Sequence, residues 1–348
     1  MASERTNTEG SFTAERDRLI AENNRLRQEL QERYGLSNIV GGSRAMRLVC
    51  EQIADAARAG GPVLLRGEPG TGKALVARAI HHSSSRSHRP FVRVRCAALP
   101  EAVVDSQLFG EIKGTLVASP GGIQRVDGGT LFVDEVGGIG IAAQERLLRV
   151  IRDHVMDRPG GGTVRVDVRL IAATSDDLVD AVTAGTVRHD FYELLSVRAI
   201  TVPPLRDRKA DLPVLIDLFL ERFAREHARS VERLSTRAMD MLIDYDWPGN
   251  VRELSAVIER ALVLTTGPVI HHHCLPTVIQ ERAGSGLTAS MGLSEALDAY
   301  EKELLEEALK RAHGVRSKAA RLLHTTDRIF RYKLRKHGID CRQFKVSG

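Results

Sequence analysis

The chain has 348 residues, of which 43% are hydrophobic and 4% aromatic, and its formal net charge is +5. This length suits two to three domains with aliphatic cores. No stretch reaches the roughly 18 uninterrupted apolar residues of a membrane span, and the start MASERTNTEG is no signal peptide, so we expect a cytoplasmic protein without a membrane partner. The four cysteines are far apart, and we expect reduced thiols.

The charge is unevenly distributed along the chain. Residues 310–348 contain 12 Lys and Arg against two Asp, a net charge of +10, so the rest of the chain carries −5. A basic end on a mildly acidic body indicates a polyanion as the partner of that end. A solvated charged tail explains the count equally well, so charge alone does not decide.

The first 36 residues are predicted to combine a disordered start, up to residue 12, with a short helix. Leu19 and Leu26 lie seven residues apart, as do Asn23 and Leu30. This is the spacing of a coiled-coil dimer with one polar core position. The pattern lasts under three heptads, and a single amphipathic helix packed on the next domain is the alternative.

An α/β region is expected over residues 37–210, because short apolar runs alternate there with helical patterns, as buried parallel strands do. The runs are VLLRG (63–67), FVRVR (91–95), TLFVD (130–134) and VRLIAAT (168–174). The pattern is helical only from about 211 to 266, and residues 211–280 are assigned to a helical lid. Residues 281–292 are Gly- and Ser-rich and are a predicted linker to a last helical domain, 293–348.

The motif GEPGTGK (67–73) stands between the first of these strands and a helical run, which is the context of a phosphate-binding P-loop. Its glycines let backbone N–H groups turn inward, and Lys73 places a positive charge at the β- and γ-phosphates. A turn that only mimics the motif is the alternative. The predicted nucleotide-binding residues are Gly67, Glu68, Pro69, Gly70, Thr71, Gly72, Lys73 and Ala74.

A second motif, GGTLFVDEV (128–136), ends a hydrophobic strand in two acids, Asp134 and Glu135. Asp134 is expected to hold Mg²⁺ through water, and Glu135 is expected to polarise the attacking water. A helix cap is the alternative role for this pair, and the P-loop upstream favours the catalytic one. The sequence therefore predicts ATP and Mg²⁺ as cofactors.

Near the C-terminus, an amphipathic helix over 293–314 precedes two short helices. RSKAARLL (316–323) and DRIFRYKLRKHG (327–338) are joined by HTT, which is helix-turn-helix spacing. A basic hairpin that binds another protein is the alternative. The predicted core-facing residues are Ile329, Phe330 and Leu334. The candidate contacts to double-stranded DNA are the helix cap Thr326, Arg328, Arg331, Tyr332 and Arg335.

Six segments follow one another along the chain, and together they resemble the AAA+ domain of sigma-54-dependent activators, the NtrC/NifA class, over about residues 37–280. They are GEPGTGKALVARAIH, RCAALPEAVVDSQLFGEIKG, DGGTLFVDEV, VDVRLIAATSDDL, PPLRDRKADLP and DWPGNVREL. The C-terminal block resembles the Fis-type ends of the same class. The resemblance implies a P-loop α/β core with a parallel sheet, a helical lid and an all-α helix-turn-helix domain.

The resemblance also implies how subunits share a site. Family members form rings, usually hexamers, with ATP between subunits, and their Fis-type ends bind palindromic DNA as dimers. Arg188 matches the first of two arginines that a neighbouring subunit supplies to the γ-phosphate, whereas the second falls on Leu194. Arg252, within DWPGNVREL, matches the lid arginine that reads the nucleotide.

Several positions depart from the family. Ala74 stands where the family has Glu, and Ser175 where it has Asn or His. Arg95 replaces a strand-end Asn that is thought to restrain the catalytic acid. We expect Arg95 to form an ion pair with Glu135, because a permanent cation there is not a neutral replacement.

The loop that touches sigma-54 in the family departs most. GAFTGA stands there at the tip of a hairpin, whereas this chain has GTLVAS. The arm also looks about four residues shorter, so it should transmit force to sigma-54 poorly or not at all. The loop residues are Gly114, Thr115, Leu116, Val117, Ala118 and Ser119.

These observations predict a DNA-binding transcription regulator of the sigma-54 activator type that binds ATP, as a dimer or hexamer, without the sensory domain that family members carry. ATP hydrolysis is left open by four departures around the γ-phosphate, at Ala74, Arg95, Ser175 and Leu194. One alternative is a competent, ATP-hydrolysing partner of sigma-54 RNA polymerase despite the altered loop. Another is a AAA+ remodelling ATPase whose basic end grips a client other than DNA.

Overall fold

The computed structural model describes residues 39–97, 99–113, 116–157, 162–283 and 293–344. These residues form two compact units. One comprises the described residues up to Val214 together with Trp247–Glu253, and the other comprises Leu215–Asp246 and the described residues from Leu254 onward. The predicted coiled-coil helix and residues 284–292 of the predicted linker lie outside the described residues.

Eleven strands are found in the described chain. They are β1 Val63–Arg66, β2 Phe91–Arg95, β3 Gly110–Lys113, β4 Leu116–Pro120, β5 Thr130–Asp134, β6 Val155–Asp157, β7 Thr163–Arg165, β8 Arg169–Thr174, β9 Ala199–Thr201, β10 Arg233–Leu234 and β11 Val269–Ile270. Five of them form a wholly parallel sheet in the order β2-β5-β8-β1-β9. The four predicted strands are confirmed to within one residue at each end.

The helices of the described chain alternate with these strands in the first unit and predominate in the second. They are α1 Arg44–Ala59, α2 Lys73–His82, α3 Glu101–Phe109, α4 Gly122–Arg125, α5 Ile141–Asp153, α6 Leu178–Thr183, α7 His189–Ser196, α8 Leu212–Glu226, α9 Thr236–Asp244, α10 Asn250–Leu264, α11 Thr277–Ala283, α12 Leu293–Arg311, α13 Arg316–Leu322 and α14 Asp327–Lys336. Short 3₁₀ segments join some of them.

The parallel sheet is covered on both faces, because successive side chains of a strand point to opposite sides. In β5, Leu131 and Val133 join an apolar cluster with α3 and α5. Phe132 joins a second cluster with α1 and α2. Every residue of β8 is buried, as expected for a central strand of such a sheet. The expected α/β core is confirmed, and the carboxyl ends of β1, β5 and β8 meet at one edge.

The second unit contains the lid helices and a three-helix bundle of α12, α13 and α14. The three helices share an apolar cluster that includes Leu305, Ala319, Ala320, Phe330 and Leu334. The prediction that the chain is helical only from 211 to 266 is wrong in one detail. Strand β10 lies within that range and pairs with β11, but a two-residue strand is too short to show a period of its own.

Two further expectations can be compared with the described chain. All four cysteines are free thiols, as expected. None of the described helices is both long enough and apolar enough to cross a membrane.

Candidate nucleotide and DNA sites

The P-loop motif forms the turn between β1 and α2. Gly67, Gly70 and Gly72 adopt positive φ angles of 150°, 82° and 107°. A Cβ atom on Gly70 would lie 2.2 Å from the carbonyl oxygen of Gly249, so only glycine fits at that position. Helix α2 begins at Lys73 without a side-chain cap, so the N–H groups of Lys73 and Ala74 are placed for a phosphate, whereas that of Leu75 donates to the carbonyl oxygen of Gly72 at 2.9 Å.

Lys73 and Glu135 contact each other beside this turn. The Lys73 side chain is 6% exposed, and its Nζ lies 3.2 Å from Glu135 Oε1. The same Nζ donates to the carbonyl oxygen of Gly67 at 2.6 Å. The backbone N–H and the hydroxyl of Ser175 both donate to Glu135 Oε2 at 2.8 Å. The structure therefore brings the P-loop lysine, the candidate catalytic acid and Ser175 together.

Asp134, at the end of β5, forms an ion pair with Arg93 of β2. The expected ion pair between Arg95 and Glu135 is wrong, because Glu135 contacts Lys73 and the Arg95 side chain is exposed. Sequence reasoning missed Arg93. A signal for it exists, since residues two apart on a strand share a face and a long side chain reaches the diagonal neighbour on the next strand.

Glu68, at the start of the P-loop, is held by two residues from distant segments. Arg206 donates to both carboxylate oxygens, at 2.9 and 2.5 Å. The amide of Asn250 donates to the same carboxylate at 3.0 Å and to the carbonyl oxygen of Pro69 at 3.1 Å. The hydrogen bonds from Arg206, and then the one from Asn250, lower the pKa of Glu68 to about 2. Sequence reasoning placed Glu68 and Pro69 here but missed both partners.

The remaining predicted nucleotide residues surround the same turn. Thr71 is buried, and its carbonyl oxygen accepts from Arg208 Nη2 at 2.9 Å. Ala74 packs against the cluster of α1 and α2 and offers no hydroxyl. The backbone N–H of Arg252 donates to the carbonyl oxygen of Gly70 at 3.3 Å, and its side chain is exposed.

Arg188, the candidate arginine finger, precedes helix α7. Its Nε and Nη2 donate to the two carboxylate oxygens of Asp190 at 3.0 and 2.8 Å. Its Nη1 lies 3.6 Å from Glu145. The hydrogen bonds that Arg188 donates to Asp190 raise the pKa of Arg188 further. In the described chain, the charged partners of the Arg188 side chain are therefore Asp190 and Glu145, and not the acids beside Lys73.

The segment predicted to correspond to the sigma-54 loop lies where the chain forms a hairpin. Strands β3 and β4 pair in antiparallel fashion, with Lys113 opposite Leu116 and Ile112 opposite Val117. Gly114 and Thr115 lie outside the described residues. Of the other four loop residues, all fall within β4; they are Leu116, Val117, Ala118 and Ser119.

The predicted helix-turn-helix is formed by α13 and α14. Thr326 caps α14 by accepting from the backbone N–H of Ile329 at 3.3 Å. Phe330 and Leu334 are buried, as predicted. The prediction that Ile329 faces the core is wrong: its side chain is 47% exposed, because a residue next to Phe330 is turned about 100° away around the helix. The other candidate DNA contacts are exposed on this helix; they are Arg328, Arg331, Tyr332 and Arg335.

Helix α14 is fixed by ion pairs at its C-terminal end. Lys333 contacts Glu301 of α12, and Lys336 contacts Asp298 at 2.5 Å. These acids neutralise Lys333 and Lys336, neither of which is a candidate DNA contact. In the turn before α14, His324 has a φ angle of 50°, a left-handed conformation that is strained for a residue other than glycine.

Three family profiles match successive parts of the chain. Residues 39–201 match the Sigma-54 interaction domain. Residues 206–290 match the AAA+ ATPase lid domain. Residues 296–337 match the bacterial regulatory protein, Fis family. The fold and the site thus define a AAA+ protein with a Fis-type helix-turn-helix.

Similar proteins and solved structures agree with these family matches. The nitrogen fixation proteins AnfA and VnfA of Azotobacter vinelandii are 43% and 42% identical over 95% and 94% of this chain, which spans only 63% and 64% of their length. The regulatory protein AtoC of Escherichia coli (strain K12) is 40% identical over 90% of this chain and 71% of its own length. The crystal structure of NtrX from Brucella abortus in complex with ATP has a TM-score of 0.71 and 31% identity, covering 94% of this chain and 76% of that one.

These matches settle the family. The chain belongs to the sigma-54-dependent transcriptional activators, as its motifs indicated.

Proposed function

We propose that this chain is a DNA-binding transcription regulator whose AAA+ unit binds ATP with Mg²⁺. The observation that carries the proposal is the position of Lys73 and Glu135 beside a turn that only glycine can form at Gly70. A buried cation, the N–H groups at the start of α2 and an acid at the end of β5 are the parts that a triphosphate site needs. The match to an ATP complex of NtrX supports the same ligand.

Each site residue has a role that its contacts allow. Lys73 would exchange its contact with Glu135 for the β- and γ-phosphates, because their charge is larger. Glu135 would then be free to orient water, while Ser175 keeps hold of its second oxygen. Asp134 is the carboxylate placed to hold Mg²⁺ through water, and the metal would neutralise phosphate charge. Ala74 adds no hydroxyl ligand, so Asp134 is the main donor.

Hydrolysis would depend on a second copy of the chain. Arg188 is held by Asp190 within its own subunit, and in an assembly it would reach the γ-phosphate of a neighbour's ATP. Leu194 replaces the second arginine, so Arg188 alone would supply the charge. We propose self-association as a dimer through the DNA-binding end and as a hexamer through the AAA+ unit.

Each proposed domain has its own function. We assign residues 37–210 to the α/β subdomain, 211–280 to the lid, 281–292 to the linker and 293–348 to DNA binding. The exposed arginines of α14 would contact double-stranded, palindromic sites, with Thr326 holding the start of the helix. Such a regulator works in the cytoplasm, where bacterial DNA lies.

A second candidate function is activation of sigma-54 RNA polymerase. The hairpin of β3 and β4 favours it, because the arm that presents the loop is formed. Leu116 and Val117, which replace the Phe and Thr of the family's loop, argue that the chain transmits force to sigma-54 weakly. A reconstituted transcription assay with sigma-54 polymerase distinguishes the two candidate functions. Formation of an open promoter complex supports an activator of the polymerase. DNA binding without open-complex formation supports a regulator that has lost the ability to act on sigma-54.

ATP turnover by the purified chain, measured over a range of protein concentrations beside Glu135→Ala, tests the nucleotide function. Turnover that rises with concentration and disappears in the variant supports shared sites and Arg188 as the finger. Bound ATP without turnover supports a nucleotide-dependent DNA-binding protein that is not an enzyme. Absence of ATP binding in the wild-type chain contradicts the proposal.

A further inference from the structure

The contact between Arg93 and Asp134 concerns the carboxylate that is placed to hold the metal. Arg93 lies on β2 opposite Phe132 of β5, and its guanidinium carbon lies 5.8 Å from the centre of the Phe132 ring. Arg93 Nη2 pairs with Asp134 Oδ2. The side chains are 28% and 15% exposed, so both charges are mostly removed from water.

The rest of the Arg93 guanidinium makes few polar contacts. Its Nε is buried and, among the described residues, has no hydrogen-bond partner. A partly desolvated cation without other hydrogen bonds depends on its one counter-ion. The Asp134 carboxylate is therefore the group that fixes Arg93, and Arg93 in turn neutralises Asp134.

We propose that Arg93 is a positioning residue that competes with Mg²⁺ for Asp134 and so raises the Mg²⁺ concentration needed to load the nucleotide. This inference rests on the proposed ATP site. A guanidinium and a divalent cation at one carboxylate repel each other, and Arg93 occupies one of its two oxygens. Ala74, which follows Lys73, has no oxygen that could replace a weakened Asp134.

The expected size follows from the setting of the pair. A partly exposed ion pair contributes about 1 kcal/mol, which corresponds to roughly a five-fold change in an equilibrium constant. Replacing Arg93 with alanine should therefore lower the half-saturating Mg²⁺ concentration about five-fold. Arg93→Lys keeps the charge and should lie near the wild type.

Arg95 provides the matched control. It lies on the same strand two residues further on, and its side chain is exposed. Arg95→Ala removes the same charge at a similar place without breaking the pair with Asp134. If any positive charge near the site raised the Mg²⁺ requirement, both alanine variants would lower it equally. The proposal requires that only Arg93→Ala lowers it.

The experiment titrates Mg²⁺ into the full chain with a fluorescent ATP analogue at fixed concentration. Fluorescence of the single tryptophan, buried Trp247, reports folding of each variant, and Arg93→Gln replaces Arg93→Ala if the latter unfolds. A lower half-saturating Mg²⁺ in Arg93→Ala, with Arg93→Lys and Arg95→Ala unchanged, is the expected result. An unchanged or higher value in Arg93→Ala overturns the inference. A wild-type chain that binds no nucleotide at saturating Mg²⁺ overturns the proposed function instead.

Discussion

The nucleotide site and the recognition helix α14 use charge in opposite ways. At the site, Lys73 and Glu135 are paired 3.2 Å apart, with the lysine almost fully buried. On α14, Arg328 and Arg335 are exposed. Partly buried charges interact strongly and depend on geometry, whereas exposed charges are screened by salt and add up roughly independently. Single substitutions should therefore be severe at the first and graded at the second.

The largest expected effect concerns His81, on the helix that follows the P-loop. The side chain is 1% exposed, and burial, followed by the charge of His82, lowers its pKa from 6.5 to about 4. The folded state therefore favours neutral His81. Its contribution to stability is complete above pH 6.5 and is lost as the pH falls towards 4, at a cost of about 3 kcal/mol.

Urea unfolding followed by Trp247 fluorescence between pH 7 and pH 4 measures this loss. His81→Asn keeps a polar partner for Thr130, which lies 2.9 Å from His81 Nδ1, but does not titrate. The wild type should lose about 3 kcal/mol more than the variant over this range. Equal losses of unfolding free energy in the wild type and the variant would show that burial does not keep His81 neutral. The contrast between buried charges here and exposed charges on α14 would then fail.

A smaller effect is expected from Arg328→Ala on α14. Loss of one phosphate or base contact should weaken DNA binding about ten-fold and reduce the slope of log affinity against log salt by about 0.9. Arg225→Ala, on the exposed surface of lid helix α8, is the control and should change neither quantity. Fluorescence anisotropy with a duplex selected from a random pool measures both; an unchanged salt slope in Arg328→Ala would place this arginine off the DNA.

The smallest expected effect concerns the turn before α14. His324 has a φ angle of 50°, so His324→Gly should stabilise the helix pair by about 1 kcal/mol. His337, with a φ angle of −95°, is the matched control. His337→Gly should destabilise the pair, because it gains no backbone relief and loses the contact with Glu301. Hydrogen exchange of α13 and α14 amides should slow about five-fold in the first variant and quicken in the second; equal rates would show that the turn is unstrained.

Much of this molecule could be predicted because its signals are local. The four apolar runs gave the parallel strands, since strands covered on both faces are continuously hydrophobic. The turn glycines and the helix pair of α13 and α14 follow from short spacings. Thr326 as cap follows from its place just before the helix.

What sequence reasoning missed depends on distant contacts. Asn250 and Arg206 meet Glu68 from segments more than a hundred residues away, and no local pattern encodes such a pair. Arg93 was overlooked for Arg95 because both lie on one face of β2. The strand register puts Arg95 directly opposite Asp134, yet the diagonal residue Arg93 forms the ion pair, and only the placement of the side chains shows this. Ile329 is apolar, yet the direction of its side chain on the helix decides its exposure.

The most direct test of this account is ATP binding by Lys73→Ala, measured by calorimetry in saturating Mg²⁺. Lys73 is the buried cation of the site, and loss of a charged hydrogen bond there should weaken binding about 100-fold. Lys318→Ala, exposed on α13, should bind ATP as the wild type does. Trp247 fluorescence confirms that each variant is folded. Wild-type affinity in folded Lys73→Ala would contradict the central claim that this turn is the nucleotide site.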